Sequence, residues 1–262
     1  MEFLALLGKT LVLRPYVFLF LAMAVAVARP LMGGARTLAF FLIAWIVAYA
    51  CEFSSTRTGI PFGWYFYTGS TRGQELYLSN VPFMDSLSFS FLLFASYCVS
   101  LLFIAPIRKQ GSAMYISYGR ILRMSWPVLA LTILFFAMID VIIDPLALRG
   151  DRWFLGKIYY YPEPGVHFGV PIANYLGWAV VGFMALSLFR LVDRRLGDPD
   201  SEANKAGPLM LGSALYYAVL CFNLAITFWI GEPLIGWTGA LIYLPITALL
   251  LIKLAGRLPL QI

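Results

Sequence analysis

Charge is scarce in this chain. Only 12% of its 262 residues are Asp, Glu, Lys or Arg, where soluble domains average about 25%. That scarcity excludes a disordered chain, which needs polarity and charge to stay solvated. It equally excludes an ordinary soluble domain, which could not cover itself for water. There is a single histidine, His167, so a metal site built from paired histidines of the di-iron kind is impossible. The three cysteines, Cys51, Cys98 and Cys221, all fall in apolar stretches and form no CxxC spacing. Neither a disulfide framework nor a zinc site is indicated. A Gly-rich phosphate loop is missing, which speaks against ATP-driven work, and so is a GxSxG nucleophile elbow. No internal repeat, heptad array or low-complexity segment occurs. No metal and no cofactor are expected.

Apolar residues are abundant instead. They make up 61% of the chain, with a mean hydropathy of +0.82. A bilayer-crossing helix needs about 20 consecutive apolar residues. Seven such runs are predicted, at 11–28, 37–53, 84–106, 124–144, 171–190, 208–230 and 234–255. The expected fold is therefore all-α: a polytopic transmembrane helical bundle forming one integral-membrane domain over residues 1–262. Gly231-Glu232-Pro233 supplies the tight turn between the last two runs. The alternative is six spans with a re-entrant hairpin at 208–255. The first run is as long as a span and lacks a following small-residue cleavage motif, so no cleavable leader is expected.

The net charge of +6 reads as loop charge, with no basic, aromatic-interleaved stripe for nucleic acid. Arg108, Lys109, Arg120 and Arg123 crowd the loop at 107–123, and Arg194, Arg195 and Lys205 that at 191–207. The positive-inside rule then places the N-terminus outside and the C-terminus in the cytoplasm of an inner membrane. Asp193, Asp198, Asp200 and Glu202 fall on the inner side, together with Arg257, and the other nine of the 13 acidic residues on the outer half. The two outer loops, 54–83 and 145–170, are long and aromatic. Loops of that length are functional more often than not.

An ionised carboxylate near the bilayer centre costs roughly 2.5–3.5 kcal/mol on insertion scales and marks function. Asp140 and Asp144 stand four apart, which on a helix sets both on one face. Two carboxyls that close in a low dielectric cannot both ionise cheaply. An acid beside an ionised partner is equipment for proton donation. The bland alternative has them at the water interface, paired with Arg149 or Arg152. Pro145 is expected to end their helix. Glu52 closes the second run and could point into the same cavity. Asp85 reads as a first-turn residue favouring the helix dipole. Glu232 and His167 read as structural. The outer aromatics exceed an interfacial belt and would suit a polyene, or a carbocation held over π faces.

These motifs resemble a known family. Glu52, followed by Thr58-Gly59-Ile60-Pro61-Phe62-Gly63-Trp64-Tyr65-Phe66-Tyr67, is similar to the "E…TGxPFGxYxY" signature of the integral-membrane carotenoid biosynthesis family. That family includes carotenoid 1,2-hydratases acting on γ-carotene and bisanhydrobacterioruberin. Asp140 through Asp144-Pro145, Gly150 with Trp153, and Phe168-Gly169-Val170-Pro171 with Asn174 and Gly177-Trp178 resemble its "DxxxDP…GxW…FGVPxxNFxGW" block. The likeness covers about 50–180. It departs at Asp85-Ser86-Leu87 and at Leu155, where tryptophans are expected.

The resemblance implies addition of water to the terminal isoprenoid double bond of an acyclic carotenoid end. Asp140 would be the acid, Asp144 the group that orients water and takes its proton, and Glu52 a third carboxyl able to exchange roles. Trp64, Tyr65, Tyr67, Trp153 and Trp178 would line the end-group pocket, and Asn174 would hold the water or tie two helices. The implied partners are a carotenoid within the bilayer and water, with room for association with other carotenoid enzymes. Three rivals stand: an end-group cyclase using the same cation, a prenyltransferase, and a proton-coupled transporter. The prenyltransferase wants a second acidic motif, and Asp193 to Asp198 lies on the wrong side. The transporter wants repeated, broken helices.

Overall fold

A computed structural model describes residues 2–110, 113–197 and 203–256. Asp198, Asp200, Glu202 and Arg257 of the loop-charge reading lie outside the described residues. Nine helices are present among the described residues. They are α1 (Glu2–Leu13), α2 (Pro15–Met32), α3 (Gly34–Thr58), α4 (Phe83–Ile104), α5 (Arg120–Arg123), α6 (Trp126–Ala147), α7 (Ile172–Asp193), α8 (Ala206–Trp229) and α9 (Pro233–Leu254). All but α1 and the short α5 are long and apolar enough to cross a membrane, seven in total. The chain is an all-α polytopic bundle, as its hydropathy predicts. Both α8 and α9 are full-length, so the re-entrant alternative is not what the chain adopts.

Element boundaries move for local reasons. The first span starts at Pro15, not 11, because proline fits best in a helix's first turn, where its missing N–H costs nothing. A separate helix, α1, precedes it. The second span runs to Thr58, five residues past the apolar run. Its polar last turns stay helical because hydroxyls bond back to the helix: Thr58 Oγ1 donates to Ser54 O at 3.0 Å and Thr56 Oγ1 to Phe53 O at 3.1 Å. Gly59 then ends it in the left-handed conformation (φ 75°), donating its N–H to Ser55 O.

Pro145 does not end α6. The helix carries it internally and continues to Ala147. A proline at that position removes the N–H that would bond the carbonyl four residues earlier, here Val141. His167 Nε2 lies 3.2 Å from Val141 O, and a carbonyl only accepts, so the ring donates there. The lone histidine thus supplies the hydrogen bond the proline took away.

Helix α4 is the axis of the bundle and packs on α2, α3, α6 and α8. Its Ser86, Ser90, Ser96 and Ser100 are all buried. Small residues let neighbouring backbones approach, and these hydroxyls return to helix carbonyls, as Ser96 does to Leu92 O at 2.8 Å. Gly212 of α8 sits where a Cβ would lie 2.4 Å from Cys98 Sγ of α4.

The two long aromatic loops are stitched together over one end of the bundle. Strand β1 (Phe66–Tyr67) pairs antiparallel with a strand at Tyr159–Tyr160, in register Phe66 with Tyr160 and Tyr67 with Tyr159. Arg14, fully buried between α1 and α2, clamps both loops. It makes a bidentate pair with Glu75 at 3.0 and 3.1 Å and donates to Leu155 O at 2.7 Å. At the opposite end, buried Asp193 accepts from Arg36 at 2.6 Å and Arg123 at 3.1 Å, with Arg120 at 3.5 Å.

Candidate active site

A cavity of about 960 Å³, its open mouth included, lies beneath the stitched loops. Glu52, Asp85, Asp144, Asn174, Tyr65, Tyr67, Tyr159, Tyr161, Trp153 and Trp178 are on its wall. The last turns of α3 and α6 and the first turns of α4 and α7 deliver the carboxyls and the amide to one end of the bundle. The rest of the wall is aromatic and aliphatic. Trp178 stacks on Phe89 at 4.2 Å and meets Phe136 at 4.7 Å. Gly177 lets α7 close on the loop below it, since a Cβ there would lie 2.8 Å from Phe62 Cα.

Asp140 and Asp144 do share a helix face, as the spacing predicts. Asn174 Nδ2 donates to Oδ2 of both, to Asp144 at 2.8 Å. Tyr161 donates to Asp144 Oδ2 at 2.6 Å and Tyr159 donates to Oδ1. Asp144 therefore collects three donors. Asp140 is 0% exposed, is not among the cavity-lining residues, and leaves Oδ1 without a partner. It stands off the cavity wall, joined to Asp144 through Asn174. Among the described residues neither aspartate pairs with arginine. Arg149 and Arg152 both go to Glu232.

Glu52 sits in a second carboxyl pair. Tyr67 Oη is 3.1 Å from Glu52 Oε1 and 2.8 Å from Asp85 Oδ2. Glu52 Oε2 is buried and unpartnered. Asp85, read from sequence as a dipole residue of the first turn, lines the cavity as well, and this is the carboxyl that sequence reasoning missed. Proximity to Tyr67 was the needed signal, and it exists only once β1 forms.

Period two explains the aromatics. In an extended pair, alternate residues face one side. Tyr65, Tyr67, Tyr159 and Tyr161 face the cavity, and their rings meet edge-on or tilted at 5.4–6.4 Å. Trp64, Phe66 and Tyr160 face out. Trp64, expected in the pocket, is 50% exposed and stacks on Phe66 at 6.1 Å instead. Burial, then nearby carboxylates, pushes the hydroxyls of Tyr159 and Tyr161 well above the ordinary tyrosine range. Burial comes first for Tyr65 and Tyr67 too, with the same direction. All four remain hydroxyl donors at neutral pH.

Among the described residues no cluster of three metal-ligating side chains occurs. What the site can do is move a proton: it has two carboxyl pairs, tyrosine hydroxyls beside them, and largely aromatic and aliphatic walls.

Comparison with known proteins adds to this geometry. A family model described as carotenoid biosynthesis protein matches residues 13–245, a stretch that holds the whole cavity. Bisanhydrobacterioruberin hydratase of Haloarcula japonica is similar, 28% identical over 203 residues covering 74% of this chain. The chain spans 59% of that relative's length. No solved structure matches.

Proposed function

The chain belongs to the carotenoid biosynthesis protein family, and from that premise we propose that it hydrates the terminal double bond of an acyclic carotenoid end. One observation carries the reading. Three carboxyls, Glu52, Asp85 and Asp144, meet on the wall of an otherwise aromatic cavity inside a bundle of apolar helices. The Haloarcula japonica relative carries the name of a hydratase, which agrees.

The chemistry assigns the roles. An unactivated trisubstituted alkene must be protonated first, at its less substituted carbon, to give a tertiary cation. Glu52 is the acid in this reading: it is on the wall, and its Oε2 has no other partner. Asp144 is held by three donors, which favour the anion. It stabilises the cation and takes the proton as water adds to the cationic carbon. One proton leaves Glu52 and one arrives at Asp144, so its return through the site leaves only water consumed. Tyr65, Trp153 and Trp178 offer π faces to the cation. Asp140 supports Asp144 through Asn174.

The test is co-expression in a lycopene-producing host, followed by mass spectrometry of the extracted pigments. A gain of one water, with oxygen drawn from labelled water, is expected. A product of unchanged mass would make the protein a cyclase, and oxygen drawn from dioxygen would make it a hydroxylase.

A further inference from the structure

The cavity does not stop at the carboxyls. It continues between α2, α4 and α8 along Val17, Phe20, Phe91, Val219 and Phe222. Rings join across this seam. Tyr16 stacks on Phe222 at 5.8 Å, Phe20 meets Phe222 at 6.0 Å and Phe91 at 5.8 Å. Phe154 touches both Tyr16 and Phe222, at 5.5 and 6.3 Å. Phe154 is 51% exposed, so the cluster reaches from the cavity wall to the molecular surface. No charged residue occurs on α2 before Arg29 or anywhere on α8. The aqueous end, by contrast, is roofed by the β1 strand pair and by the clamp of Arg14, Glu75 and Leu155 O.

We infer that the seam between α2 and α8 is a lateral doorway in which the conjugated chain of an acyclic isoprenoid lies, with Phe20 and Phe222 as its swinging rings. This deepens the hydration reading and rests on it for the end group. Geometry demands an exit. A carotenoid is comparable in length to the bilayer's apolar core, about 30 Å. The arm from Tyr16 to Phe20 spans one helical turn, about 6 Å at ~1.5 Å per residue. Most of the chain must therefore leave the cavity through a wall, and this wall is the aromatic, uncharged one. Its rings can turn about single bonds on fast timescales, whereas the roof is held by the buried Arg14–Glu75 ion pair.

Lycopene is the probe, with two readouts. Val219→Trp fills the arm. Relative to the unsubstituted protein, it is expected to lower conversion at least tenfold and to lose the pigment that co-purifies with the detergent-solubilised protein. Leu211→Trp, on the lipid-facing side of α8, should change neither. Pigment retention reads the doorway without any chemistry. A protein that retains lycopene, loses it in Val219→Trp, and never adds water would keep the doorway and overturn hydration. A folded Val219→Trp that binds and converts normally overturns the doorway. Should that variant not insert, Phe20→Cys with Phe222→Cys in a Cys221→Ala background replaces it. Bridging the two thiols with a short cross-linker is expected to block uptake of lycopene, and uptake equal to that of the unbridged protein overturns the doorway.

Discussion

Tyr67 has one hydrogen to give and two carboxyl oxygens in reach, Glu52 Oε1 and Asp85 Oδ2. Both contacts are satisfied only when a carboxyl contributes a proton of its own, with the tyrosine passing its hydrogen to the other. The pair thus stores a proton beside the cavity. Asp144 has the reverse inventory, with donors on both oxygens. Glu52→Gln keeps the shape and removes the acid, and a loss of about 10²–10⁴-fold in hydration is expected. Asp140→Asn should cost less, since the carboxyls on the wall survive. Pigment yields from matched cultures rank the two, and the reverse order would return the acid's role to Asp140. Tyr159→Phe leaves Asp144 one donor short, so a drop in turnover with unchanged pigment retention is expected.

Elements account for what the chain's letters reveal and what they hide. The i, i+4 spacing of Asp140 and Asp144 predicts a shared face, and that face exists. The alternation in Trp64-Tyr65-Phe66-Tyr67 is equally visible, but its meaning depends on a strand partner some 90 residues away. Without that pairing the four rings look alike, which is why Trp64 is misplaced by sequence reasoning. Asp85 is hidden for another reason: the helix dipole already explains an acid in a first turn. Pro145 misleads because His167, distant in sequence, repairs the ladder it breaks. Replacing His167 with Ala leaves Val141 O without its partner and is expected to cost about 1–3 kcal/mol, read as a lower Tm of the solubilised protein. Gly177→Ala pushes a methyl into Phe62, whose backbone cannot yield cheaply. Overpacking of about 1–3 kcal/mol is expected, together with weaker pigment retention as Asn174 and Trp178 shift. An unchanged Tm in either variant would contradict the contact it tests.

Across the whole molecule, hydropathy alone yields the seven helices, because lipid leaves backbone groups no other partners. Loop composition yields the two ends: carboxyls and tyrosines at one, arginines around Asp193 at the other. The orientation expected from loop charge is open to direct measurement. A membrane-impermeant thiol reagent applied to intact cells is expected to label Lys157→Cys and to spare Arg194→Cys, both in a Cys221→Ala background. The opposite pattern would invert the molecule.

The carboxyls on the cavity wall, Glu52, Asp85 and Asp144, sit at one end of the bundle and share one chamber. Under the proposed hydration, a carotenoid with two identical tips presents only one at a time. To modify the other it must slide out, tumble head over tail in the lipid and dock afresh. Time courses should then show the half-finished alcohol rising and falling before the doubly modified pigment appears, the behaviour of a distributive catalyst.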